Sequence, residues 1–235
     1  MTTNAMGGLA GRVVLITGAG DGLGAALARA AGAAGAEVIL LGRTVHKLER
    51  VYDAIVASGG PQPAIYPLDL EGTAPEEYAE LGERVRESCG RLDALVHNAA
   101  MLGTQTPLEF YEPLEWMRVM QTNVNGPLFL TQACLPLLRA GRDPAIVFID
   151  DERRTAYWGA YGVSKAAVAA MANMLSEELE TDPPVAVHRI APGPMRTALR
   201  AEAFPGALPE EAPPPDESAV PRILTAIAGH GARNA

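Results

Sequence analysis

Short apolar runs alternate with longer amphipathic stretches along most of the chain. The first run, Arg12-Val-Val-Leu-Ile16, lacks polar alternation and is rich in β-branched residues, the pattern of a strand buried on both faces. Comparable runs lie at Glu37–Leu41, Ala64–Pro67, Asp93–His97, Ala145–Ile149 and Val185–Ile190. The stretches between them carry helix signals. An alanine-rich segment follows the first strand, and Thr44 stands where it can cap the helix after the second. Thr73-x-x-Glu76 has the form of a capping box and opens an amphipathic helix through about Ser88. A fourth helix spans roughly Pro113 to Leu138; Pro127 removes one of its backbone hydrogen bonds and predicts a kink around Asn123-Val-Asn-Gly-Pro127. A fifth helix opens near Trp158. Six strands alternating with helices predict an α/β domain with a doubly wound parallel sheet and right-handed crossovers.

Composition changes that picture at the two ends. Residues 1–10 lack both the basic start and the apolar stretch of a signal peptide and read as a flexible tail. From Ala201 to Pro221 prolines accumulate (Phe204-Pro-Gly, Leu208-Pro, Pro213-Pro-Pro215), which predicts a lid or loop over the substrate side, or a plain connector. Asp216–Ala228 reads as a final short helix. Residues 11–200 then form the binding and catalytic body, with 201–235 completing the same domain. With 48% hydrophobic residues in 235, one full core is expected. The net charge of −9 argues against a nucleic-acid surface, and no apolar run approaches the ~20 residues of a membrane span. Cys89 and Cys134 fit no metal-ligand spacing and read as ordinary thiols of a reducing compartment, the cytoplasm. His97 has no histidine or acid cluster nearby, so no metal site is expected.

The candidate chemistry falls at the carboxyl ends of the strands, where doubly wound sheets bind ligands. Thr17-Gly18-Ala-Gly-Asp21-Gly22-Leu23-Gly24 follows the first strand and precedes a helix, the geometry in which backbone N–H groups meet a pyrophosphate. The second strand ends in Gly42-Arg43. An acid there would bind the 2′-hydroxyl of NAD(H); Arg43 instead suits a 2′-phosphate, so NADP(H) is favoured and NAD(H) is the alternative. Asp21 tempers that preference. Tyr161 and Lys165 stand four apart and share a helix face. A lysine ammonium near a phenol favours the phenolate, bringing a proton donor that ordinarily titrates near pH ~10 toward the range of acid–base work. Met101, Leu102, Met195 and Phe204 suggest an apolar substrate pocket, or mere packing.

With T-G-x-x-x-G-x-G (Gly18, Gly22, Gly24), Asn98-Ala99, Asn123, Tyr161-x-x-x-Lys165 and Pro192-Gly193 in this order, the chain resembles the short-chain dehydrogenase/reductase family, in its bacterial carbonyl-reductase-like branch, over about residues 10 to 200. The resemblance implies a Rossmann-like fold and hydride transfer between a nicotinamide and a carbonyl or alcohol. It makes Tyr161 the acid/base, Lys165 the residue that holds the nicotinamide ribose and lowers the tyrosine pKa, and Asn123 the residue that orders a relay water. By the same likeness Asp69 and Leu70 flank the adenine, Asn98 and Ala99 line the cofactor cleft, and Pro192, Gly193 and Thr197 contact the nicotinamide and phosphate end.

Three features depart from the family pattern. The usual catalytic serine after the fifth strand is replaced by an acid, Asp151 or its neighbour Asp150, with Thr155 a weak substitute. Ala100 stands where the family has glycine. Gly229–Ala235 carries no β pattern, so the family's closing strand is expected to be missing and a homodimer through the fourth and fifth helices is expected in place of a tetramer. A carboxylate about 4 Å from the phenol interacts at roughly 4 kcal/mol for an effective dielectric near 20, enough to raise the tyrosine pKa by as much as ~3. Asp151 escapes that effect by carrying a proton, or by pairing with Arg153 or Arg154. The reading is an NADP(H)-dependent oxidoreductase with an altered relay; its rival is a catalytically impaired dinucleotide-binding homologue acting as sensor or partner.

Overall fold

The six apolar runs become strands β1 (Val13–Thr17), β2 (Glu37–Gly42), β3 (Ala64–Pro67), β4 (Ala94–His97), β5 (Ala145–Ile149) and β6 (Ala186–Ile190) in a computed structural model that describes residues 8–229. All neighbours pair in parallel, in the order β3-β2-β1-β4-β5-β6. The order reverses between β1 and β4, and that switch point is where the sheet can open a crevice. Alternation of side chains across β1 feeds two cores. Val14 and Ile16 pack with Leu27 and Ile55 on one face, while Val13 and Leu15 pack with Leu81, Leu130 and Val168 on the other. Pro67 is tolerated because β3 is an edge strand.

On the first face lie α1 (Gly22–Ala33), α2 (Val45–Ala57) and the carboxyl-terminal helix; on the second lie α3 (Pro75–Cys89), α5 (Gly126–Arg139) and α6 (Gly159–Glu178). Several helix ends depart from expectation. The Thr44 side chain makes no capping bond although it occupies the cap position of α2. The predicted box on Thr73 and Glu76 shifts by one residue: Ala74 is the cap, with no side-chain acceptor, and Glu77 returns to its N–H at 2.8 Å. The long fourth helix is interrupted as predicted, but by a π-helical turn, Gln121–Asn125, between α4 (Pro113–Met120) and α5, with Pro127 in the first turn of α5.

The proline-rich region holds α7 (Ala198–Ala203), and the predicted last helix is split into α8 (Pro215–Ser218) and α9 (Val220–Ile227). Pro221 lacks the N–H that continuity would need. Leu9 is buried in the first core, so the ordered fold begins inside the expected tail; residues 1–7 lie outside the described residues, as do 230–235, most of the segment where the closing strand is expected to be missing. Beneath the sheet, at the amino ends of its strands, Asp93 is fully buried. Its carboxylate accepts from Val13 N–H (2.8 Å), Arg142 N–H (2.6 Å) and Arg91 Nε (3.2 Å). Arg12 Nη2 donates to the Asp93 and Asp143 carbonyls. Among the described residues no helix is long and apolar enough to cross a membrane, and no group of histidines, cysteines or acids is placed to hold a metal.

Candidate active site

At the carboxyl ends of the strands a cleft of about 1070 Å³ opens. One end is built by the turn after β1. Gly18 and Gly22 hold left-handed angles (φ +66° and +48°), and Asp21 caps α1 by accepting from Gly22 N–H at 2.8 Å. Gly18, Asp21, Gly22 and Leu23 line the cleft. Gly24 lies beneath the turn instead, where a Cβ would overlap the Gly18 carbonyl and come within 2.5 Å of Asn98 Nδ2. The turn is tied to the end of β4: Thr17 Oγ1 accepts from the N–H groups of Asn98 (2.9 Å) and Ala99 (3.0 Å), and Asn98 Nδ2 donates to Thr17 O at 2.9 Å. Asn98, Ala99 and Ala100 form cleft wall there.

Beyond the turn, Arg43 lines the cleft at the end of β2, and Asp69 and Leu70 line it after β3. Lys47, four residues after Arg43, pairs with Asp21 at 2.5 Å, and its ammonium holds that carboxyl below the ordinary range. The pair is too exposed to add much stability. Its consequence is local: the acid that tempered the case for a 2′-phosphate is met by a cation. Lys47 escapes sequence reasoning, although a second cation four residues after Arg43 was the signal. On the far side Pro192 and Gly193 follow β6 into the wall. Thr197 caps α7 by accepting from Arg200 N–H at 3.2 Å and lies against Gly22.

The inner end is built on α6, which buries Tyr161, Ser164 and Lys165. The Tyr161 hydroxyl donates to Asp151 Oδ2 at 3.0 Å. Lys165 Nζ donates to the Ile149 carbonyl at 2.8 Å and stands 5.6 Å from the Tyr161 ring centre. The expected lysine-lowered phenol is therefore corrected. Burial first, then the charge of Asp151, its hydrogen bond and the charge of Asp150 push the phenol well above its ordinary pKa. Burial also lowers the Lys165 pKa to about 8, against the opposing pull of Asp150 and Asp151.

The two acids divide the alternatives that sequence left open. Asp150 is buried, meets Arg154 at 3.0 Å and Arg189 at 3.6 Å, and accepts the Asp151 N–H at 2.8 Å. Asp151 faces the phenol, with Arg153 Nε 3.9 Å from its other oxygen. Asn123 sits in the π-helical turn and does not line the cleft. Its Oδ1 accepts from Met101 N–H at 2.7 Å, and its Nδ2 donates to Met101 O and Ser164 Oγ, each at 2.9 Å, leaving neither amide hydrogen for a water. Met101, Leu102, Met195 and Phe204 all line the cleft as expected. Trp158 joins them, its ring 5.9 Å from Tyr161 and 5.8 Å from Phe204.

Residues 12–207 match the family model for short chain dehydrogenase. The chain belongs to the short-chain dehydrogenase family. Within this family, the uncharacterized oxidoreductase YciK of Escherichia coli K12 is 40% identical over 203 residues, 85% of this chain and 80% of YciK. A solved structure from Pseudomonas syringae is 44% identical with a TM-score of 0.92, covering 96% of this short-chain dehydrogenase and 92% of that chain. Another, from Shigella flexneri 2a, is complexed with NADP; it is 38% identical with a TM-score of 0.92, and the coverage is 97% and 95%.

Proposed function

We propose that this short-chain dehydrogenase moves hydride between NADP(H) and a carbonyl or alcohol substrate, with Tyr161 as acid/base and an aspartate where the family uses serine. One observation carries the reading: the Tyr161–Asp151 hydrogen bond lies at the inner end of a cleft that begins at the glycine turn. The residues present suit the cofactor. N–H groups at the start of α1 can receive a pyrophosphate, and Arg43 with Lys47 supplies cations where a 2′-phosphate would stand. The relative complexed with NADP supports this choice over NAD(H). When bound, the nicotinamide supplies hydride to the substrate carbonyl carbon.

Tyr161, with its pKa held high, stays protonated at neutral pH and so carries a proton for the carbonyl oxygen, although burial and the charge of Asp151 make it a weaker acid than an ordinary phenol. Asp151 holds that proton's hydrogen bond at rest and must yield it to the substrate. Lys165 places positive charge near the phenolate left behind, and Asn123 keeps Ser164 and the Met101 loop in position. The experiment is NADPH oxidation against ketones and 3-oxoacyl thioesters. Turnover is expected, falling about 10²–10⁴-fold in Tyr161→Phe while NADPH binding persists. Silence across the panel, from acid to alkaline pH, would sink it.

The raised phenol favours a second reading, a cofactor-binding sensor or partner subunit with impaired turnover. In that case NADPH raises the melting temperature and Tyr161→Phe changes nothing else. For assembly the proposal is a homodimer across α4–α5 and α6. Leu114 and Met117 share a face of α4, Val163 and Met174 share a face of α6, and all four are exposed. Both cysteines are free, in keeping with a cytoplasmic protein.

A further inference from the structure

Beside Tyr161 the cleft wall carries a cluster of two rings and two guanidinium groups. Arg153 Cζ lies 5.3 Å from the ring centres of both Trp158 and Phe204, and Arg200 Cζ lies 5.1 Å from that of Phe204. All four side chains line the cleft. The two rings, themselves 5.8 Å apart, meet the Arg153 guanidinium from one side, and the contact favours an orientation that leaves N–H edges toward the cleft. Among the described residues those edges make no side-chain hydrogen bond to a carboxylate. The nearest carboxylate oxygen is Asp151 Oδ1, 3.9 Å from Nε and outside hydrogen-bond range.

We infer that the substrate is an oxo acid, whose carboxylate docks on the Arg153 guanidinium while its carbonyl oxygen takes the Tyr161 proton. The inference rests on the reductase reading above. Asp151 sets the scale. One of its oxygens accepts from the phenol, and the other accepts the Arg153 backbone N–H at 3.1 Å and lies 3.9 Å from that residue's Nε, so a single carboxylate already reaches from the phenol to Arg153. A 2-oxo acid, with carbonyl and carboxylate on adjacent carbons, offers oxygens to the same pair. The charge of the wall decides between anions: Asp151, Glu152 and Glu202 line the cleft too, so a phosphate dianion meets more repulsion than a carboxylate. A neutral ketone offers the guanidinium edge no charge to pair with.

The test uses the full chain with NADPH and straight-chain 2-oxo acids, each beside its methyl ester, followed by thermal shift and by kcat/KM. The acid is expected to raise the melting temperature of the protein–NADPH mixture where the ester does not, and to exceed the ester about tenfold or more in kcat/KM. In Arg153→Met both differences collapse toward parity, Arg153→Lys restores only part, and NADPH affinity reports that the cleft is intact. Esters used as well as acids, or an acid-to-ester ratio unmoved by Arg153→Met, would overturn the inference. If no compound turns over, the thermal shift still decides the carboxylate site, and only the reductase reading fails.

Discussion

A carboxylate 3.0 Å from a buried phenol acts on the proton twice, as a hydrogen-bond acceptor and as a charge that penalises the phenolate. Asp151→Asn removes the charge and keeps an acceptor. The pH at which alcohol oxidation rises is expected to fall by about one unit or more, read from the pH profile of NADP reduction; an unmoved profile would mean that Tyr161 is not the titrating group. Lys165 sets the other limb. With its pKa near 8, activity that needs the ammonium declines as pH rises through about 8. The stability sign follows from the same value. Because the folded pKa is lowered, burying the charge costs stability in full below about 8. That cost is relieved as pH climbs toward the lysine's ordinary range. Melting temperatures of wild type and Lys165→Met should therefore converge above pH 8. The Tyr–Lys spacing was legible in sequence, but the direction of the ammonium was not, since the Ile149 carbonyl that captures it lies sixteen residues away. Two adjacent aspartates were equally unreadable until Arg154 and Arg189 claimed one of them.

Among the elements, strands were the easiest to read. Each central strand is buried on both faces, so its apolar run has no polar interruption, and the predicted ends fall within a residue of those observed. Helix ends were harder, because caps depend on which side chain reaches a particular N–H; Glu77 does so and Glu76 does not. The π-helical turn left only Pro127 as a clue, yet it places Asn123 against both Met101 and Ser164. The turn after β1 leaves little room for change. Gly24→Ala puts a methyl into the Gly18 carbonyl and the Asn98 amide. A loss of about 1–3 kcal/mol in urea unfolding and weaker NADPH binding are expected, whereas retention of both would show that the junction can open without penalty.

For the molecule as a whole, the exposed apolar residues of α4 and α6 mark the face proposed for pairing. Replacing Met117 and Met174 together by arginine should turn a dimer into a monomer in sedimentation velocity, and an unaltered sedimentation coefficient would move the interface elsewhere. A doubly wound parallel sheet was implied by alternation of strands and helices, but the order of its strands was not, and the face left open for a partner has no periodic signature beyond scattered methionines. The Asp93 network has a consequence for how such a chain can vary. It braces the floor of the sheet with charge-assisted bonds between segments about eighty residues apart, at the end remote from chemistry. Rigidity is thus lodged below and novelty above. Crossings such as the one from β5 to α6 are free to change in length and side chain while the scaffold beneath them stays clamped.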